Sequence, residues 1–232
     1  MDADQFVQAA YDGDLPAVSR YVRDGGQINH LTEKGWSALN AALQAAVSPD
    51  HPGDPKGVAR FLIDSGADLS IPAPDGWRPL VKAAAWSNYM ADILEYLLLH
   101  GDAWRGPEDW KGINFAASWR GEAGIRILCA YGADPDTRDD KGKTPLMRAL
   151  KKGHKSTIKA LLEVGADPNL KDPDGLTPLM YAAQKPMVDN VTLLLDQGAN
   201  PSLKDTQGRT ALDHARAAKR AKIVALLLNK RL

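Results

Sequence analysis

Gly142-Lys143-Thr144 has the ending of a phosphate-binding loop, in which backbone amides and a lysine cradle a nucleotide. The glycine that such a loop needs five residues earlier is Thr137, and Pro145 follows directly, so a helix start is the better reading. The run 134–142, DPDTRDDKG, has the acidic spacing of a calcium loop. Asp139 occupies the position that must be glycine there, and Pro145 the position of the bidentate glutamate, so calcium is rejected. The five histidines, His30, His51, His100, His154 and His214, have no His or Cys partner at ligand spacing. No nucleophile elbow occurs, and the single Cys129 sits among apolar residues as a buried thiol would. One cysteine excludes an internal disulfide framework. The sequon at 190–192 falls in an expected helix, with no secretory signal upstream. No cofactor or metal is implied.

The tryptophans carry a different kind of chemistry. Trp36, Trp77 and Trp110 each stand three residues before the first apolar residue of an expected helix, at a turn tip. Trp86 and Trp119 form a second column, 33 residues apart, just past the alanines of those helices, and Trp104 lies in a neighbouring turn. A row of indoles at turns is suited to a partner's surface, because soluble monomers seldom keep large apolar patches unused. Asp75, Arg78, Glu108, Asp109, Lys111 and Arg120 would supply a mixed polar rim. The rings could instead stack on one another and stabilise the array; the two readings are compatible. A second candidate surface is basic, with Lys141, Lys143, Lys151 and Lys152 at its centre and Arg148, His154 and Lys155 beside them. It suits an acidic protein partner or is simply a solvated face.

The elements that must position these residues repeat. An apolar residue followed three positions later by alanine recurs at Phe6, Leu39, Leu80, Ile113, Leu146, Leu179 and Leu212, in steps of 33 except for one of 41. Glycines at 25, 66, 101, 132, 165 and 198 form a second column near each unit's end. In 142–172, Thr144 is placed to cap a helix, Pro145 to occupy its first turn, and Leu146, Ala149 and Leu150 to form its buried face. Gly153 ends it; Ile158, Leu161 and Leu162 face inward from a second helix, and Gly165 ends that one.

The Thr-Pro-Leu helix start, the Gly-Ala-Asp/Asn turn and the 33-residue period of 142–172, 174–205 and 207–228 resemble ankyrin repeats, and the resemblance extends over essentially the whole chain. It implies an all-α solenoid of stacked helix-turn-helix units joined by β-hairpin-like turns, forming a single domain over 1–232. The expected units are 2–33 as an N-terminal cap, 34–73 with an eight-residue insertion, 74–106, 107–138, 139–171, 172–204, and 205–232 as a C-terminal cap. In this family the turn tips and first helices line a concave face that holds partner proteins. The resemblance also makes His154, after Gly153, a structural Gly-His pair.

Two departures stand out. The insertion, within 47–57, holds three prolines and two glycines and is expected to be an extended loop. The third unit has two extra residues before Gly101, and the turn that follows is two residues shorter, so a reshaped turn is expected around 102–112.

Composition is that of a globular protein with enough apolar surface for a core: 44% hydrophobic and 25% charged over 232 residues. Net charge is zero, but residues 1–139 hold 20 acidic and 12 basic residues, whereas 140–232 hold 9 and 17. That balance argues against nucleic acid, and no stretch is long and apolar enough to span a membrane. The first residues lack the features of a signal peptide, which suits a cytoplasmic location, although a processed precursor would look the same. The expectation is a non-catalytic protein-binding module, monomeric alone, whose partner contacts the tryptophan-rich face of units two to four. The alternative is an inhibitor or immunity-type protein that neutralises a toxin or enzyme. The remote alternative is an enzyme with its site in the 102–112 turn.

Overall fold

The computed structural model describes residues 1–100 and 112–229. Among them every regular element is a helix. The chain divides into two compact units, Met1–Gly112 and Ile113–Leu232. The division falls inside the fourth expected repeat.

The first unit contains three helix pairs: α1 (Ala3–Asp12) with α2 (Leu15–Arg23), α3 (Ala38–Ala45) with α4 (Pro55–Asp64), and α5 (Pro79–Ala85) with α6 (Ser87–His100). First helices pack on first helices, α1 on α3 on α5, and second on second, α2 on α4 on α6. The alanines of α3 and α5, nearly all buried, let the backbones approach, while Phe6, Leu43, Leu62, Ile93 and Leu97 fill the space between pairs. Buried Asn40 reaches across from α3 and donates its side-chain amide to the Ile71 carbonyl at 2.9 Å.

The second unit contains α7 (Gly112–Ser118), α8 (Glu122–Ala130), α9 (Pro145–Lys152), α10 (Lys155–Glu163), α11 (Pro178–Ala183), α12 (Val188–Asp196), α13 (Ala211–Ala217) and α14 (Ala221–Asn229). Helix α9 is built as its sequence requires. The Thr144 hydroxyl accepts the Met147 N–H at 3.4 Å, Pro145 occupies the first turn, and Gly153 closes it at φ 84°. Arg120 and Lys219 take the same left-handed conformation without being glycine, at φ 64° and 56°.

One local expectation needs correcting. The insertion does not stay extended to Gly57. Pro55 and Gly57 lie in the first turn of α4, which Asp54 caps by accepting the Gly57 N–H at 2.8 Å. Proline is harmless at that position because its missing N–H would have had no helical partner. In the third repeat, which carries two extra residues, α6 is 14 residues long and its continuity is interrupted at Met90, φ −126° and ψ 25°. The reshaped turn itself lies outside the described residues, except for Gly112 at the start of α7.

Candidate functional site

The turns before the first helices are short hairpins held by two backbone bonds, an inner one from the turn glycine and an outer one that closes the hairpin. In three repeats of the second unit the closing N–H belongs to an aspartate: Asp139 donates to the Lys143 carbonyl at 3.0 Å, Asp172 to Leu176 at 3.1 Å, and Asp205 to Arg209 at 2.9 Å. Each carboxylate then divides its labour in the same way. One oxygen accepts two N–H groups of its own turn: Lys141 and Lys143 at 2.8 Å each on Asp139, Asp174 and Leu176 at 3.0 and 2.9 Å on Asp172, and Gln207 and Arg209 at 2.9 Å each on Asp205. The other oxygen accepts a side chain from the following helix. Arg148 reaches Asp139 with Nε at 2.6 Å, the Tyr181 hydroxyl reaches Asp172 at 2.7 Å, and His214 Nε2 meets Asp205 at 2.9 Å.

Arg148, Tyr181 and His214 are successive members of one 33-residue column, so the three contacts form a ladder with one rung per repeat. The first two rungs interlock, since Lys143 of one repeat donates to the Tyr181 hydroxyl of the next at 2.6 Å and lies 5.1 Å from its ring centre. Burial works against the Asp139 and Asp205 charges. The turn N–H groups, with Arg148 at the first and Arg209 and His214 at the second, outweigh it and hold both carboxyls below the usual range. Burial, and then the Asp172 carboxylate beside it, pushes the Tyr181 hydroxyl up.

In the first unit the same column holds Gln8, which donates to Asp12 at 2.8 Å, Ala41 and Lys82. Lys82 is 2% exposed, a rare state for lysine. Its ammonium donates to Gln44 Oε1 at 2.7 Å, lies 3.4 Å from Asp75, and sits 5.3 Å from the centre of the Trp36 ring. Burial lowers its proton affinity, and Asp75 partly restores it. Beside Trp36 runs a groove of 510 Å³ between α1 and the 32–36 turn, walled by Tyr11 and Trp36. The edge of the Tyr11 ring is held by His51 of the insertion, with centroids 5.7 Å apart.

The sequence-derived candidates fall as follows. Trp36, Trp77 and Trp86 belong to the first unit and are half-buried; Trp119, in the second, is 50% exposed. Asp75 is exposed and paired with Lys82, and Arg78, half-buried, is the residue before α5. Arg120, Lys141, Lys151 and Lys152 are exposed, whereas Lys143 and Arg148 are engaged in the ladder. Trp104, Glu108, Asp109, Trp110 and Lys111 lie outside the described residues. The residues missed were Asp139, Asp172, Asp205, Tyr181, His214 and Lys82. The aspartates form a third column at the same period, which is the signal that would have found them. Among the described residues no group of three or more His, Cys, Asp or Glu is arranged to hold a metal ion, and no helix is long and apolar enough to cross a membrane.

Comparison with known proteins gives this geometry a family. A family model described as ankyrin repeats (3 copies) matches residues 85–172 and 164–232. The chain is 35% identical over 127 residues to the mouse ankyrin repeat and SOCS box protein 16, covering 51% of this chain and 28% of that protein. It is 31% identical over 97 residues to the mouse RelA-associated inhibitor, covering 42% of this chain and 11% of that protein. The chain thus spans under a third of the length of these relatives. Among solved structures, the human ASB11 ankyrin repeat domain superposes with a TM-score of 0.77 at 27% identity, over 96% of both chains. The Bcl-3 ankyrin repeat domain, at 23% identity, shares the fold with a TM-score of 0.82, over 96% of this chain and 97% of that one. With more than half of its residues matched by the family model and its helix pairs stacked at the family's period, the chain belongs to the ankyrin repeat family, whose repeats are a protein–protein interaction module.

Proposed function

We propose that this chain is a non-catalytic binding module that captures a partner protein on the face that turn tips and first helices make in each of its two units. In the first unit that face is anchored by Trp36, Trp77 and Trp86; in the second it carries Trp119, with Lys141, Lys151 and Lys152 as exposed charges. The observation that carries the reading is where the indoles stand. All four in the described chain sit at turns or helix ends with ring surface still accessible, and Trp119 is half exposed. Tryptophan at a rim is costly to leave wet and valuable to cover, and a buried aromatic anchor contributes ~2 kcal/mol or more to an interface. The polar ladder of the second unit, already bonded within the chain, gives a preformed surface that loses little freedom on binding.

The test is capture of partners from native lysate by the intact chain, with Trp77→Ala and Trp119→Ala variants alongside. Capture should fall by about tenfold or more, with a much smaller proportional loss in melting temperature. Equal loss of both would mean the rings serve the array's own packing. A narrower reading, that capture silences the partner, is favoured by the inhibitor name of one relative. It requires that the captured protein lose its activity in the complex.

A further inference from the structure

We infer that the groove between the first two repeats receives a cationic side chain, arginine or lysine, from the partner's bound segment. This rests on the reading of the chain as a protein-binding module. The internal repeat supplies the argument, because it shows what normally occupies this place. In the fifth, sixth and seventh repeats the column residue Arg148, Tyr181 or His214 spans from its helix to the turn aspartate. In the third the turn position is Ala73, and Lys82 instead reaches Asp75, two residues further along the turn, and lies over Trp36. In the second repeat both ends of the rung are missing. The helix position is Ala41, and the turn position, closed by the equivalent bond from Thr32 N–H to the Trp36 carbonyl at 3.0 Å, is Thr32. Thr32 and Ala41 both line the groove. The groove is therefore the space that a long polar side chain fills elsewhere in the same molecule.

Its chemistry selects for a cation. Aromatic faces attract ammonium and guanidinium groups, and the walls here are Tyr11, 42% exposed, and Trp36. Trp36 already receives the Lys82 ammonium, so its ring makes such a contact within the chain. The rim carries the carboxylates of Asp4 and Glu33 against the single ammonium of Lys34. Asp4 shares its carboxylate with His30 at 3.0 Å, which leaves Glu33 as the more available anion. Residues 1–100 hold 13 acidic and 7 basic side chains, a field that favours a basic segment on approach.

The experiment uses the full chain labelled with nitrogen-15 and four blocked heptapeptides of glycine and serine with a central Arg, Lys, Glu or Leu. The Trp36 indole N–H is identified by its disappearance in Trp36→Phe. The Arg and Lys peptides should shift it saturably, with the Glu and Leu peptides about tenfold weaker. Tyr11→Leu should weaken the Arg peptide about fivefold. Rebuilding the rung with Ala41→Arg and Thr32→Asp together should abolish the response without lowering the melting temperature. The inference is overturned if the Leu or Glu peptide binds as well as the Arg peptide, if no peptide moves the Trp36 signal, or if the rebuilt chain still responds. Failure here with partner capture still lost in Trp77→Ala would leave the wider reading intact. An Arg response with capture unchanged in Trp77→Ala and Trp119→Ala would sink the wider reading instead.

Discussion

The Lys82 ammonium lies 5.3 Å from the centre of the Trp36 ring while its side chain is 2% exposed, so a residue of the third repeat fixes a ring of the second from beneath the surface. A buried cation seldom stabilises a fold by itself, since desolvation offsets most of what its partners return. We expect Lys82→Met to leave stability at pH 7 unchanged or raise it, and to loosen Trp36, seen as a shifted and broadened indole emission. Burial lowers the folded-state proton affinity below the unfolded value of 10.5. The unfolded chain thus holds more protons just below that value, and wild-type stability should gain a rising contribution as pH climbs toward it. Urea melts of wild type and Lys82→Met between pH 7 and 10 should differ by that rising slope, superimposed on the falling contribution of Cys129 that both share.

Acid should act on the second unit through the ladder. Asp139 and Asp205 titrate below the ordinary carboxylate value of 3.8. Their contribution is complete above that value and is lost as pH falls through the lower folded-state values. Asp205→Asn removes one carboxylate from the linkage and also breaks the His214 contact. Its urea midpoint should be lower at pH 7 and should depend less on pH below about 4 than that of the wild type.

Cys129 should be a slow thiol. Burial, reinforced by Asp134 and Asp136, pushes it up to about 11. Thiolate is the reacting form, so labelling by iodoacetamide at pH 8 should run on the order of a hundredfold slower than for a free cysteine, and urea should restore the ordinary rate. Prompt labelling of the folded chain would contradict the raised proton affinity of this half-buried thiol.

Lys219 holds a left-handed conformation, φ 56°, that costs a side-chain-bearing residue about 1 kcal/mol. Gly153 fills the equivalent place two repeats earlier at φ 84°. Lys219→Gly should therefore raise the unfolding free energy by roughly 0.5–1 kcal/mol in a urea melt, less whatever glycine adds to the unfolded chain's freedom.

The helix pairs, their caps and their period were legible because they rest on local rules. Thr144, Pro145 and Gly153 each do in the structure what their chemistry dictates in isolation. The ladder was harder to read because its partners lie nine residues apart, on a turn and on the next helix, and neither end looks unusual alone. Counting lysines and arginines made the 141–155 region seem a uniform basic patch. Its members differ once the carboxylates of Asp139 and Asp172 have engaged Arg148 and Lys143. The insertion's role was invisible for a similar reason, as nothing in 47–57 shows that His51 will meet Tyr11.

That insertion also touches the start of the chain. The Asp54 N–H donates to the Gly13 carbonyl at 3.1 Å. A methyl on Gly53 would stand 1.9 Å from the Asp12 carbonyl oxygen, and one on Gly13 would stand 2.4 Å from the Asp54 nitrogen. The two strands of backbone are thus pressed together where neither tolerates a side chain. In a repeat array each helix pair is held only by its immediate neighbours. Here the first helix pair is latched by a loop from its neighbour, so it cannot peel away until that loop lifts, and the two should open as one piece.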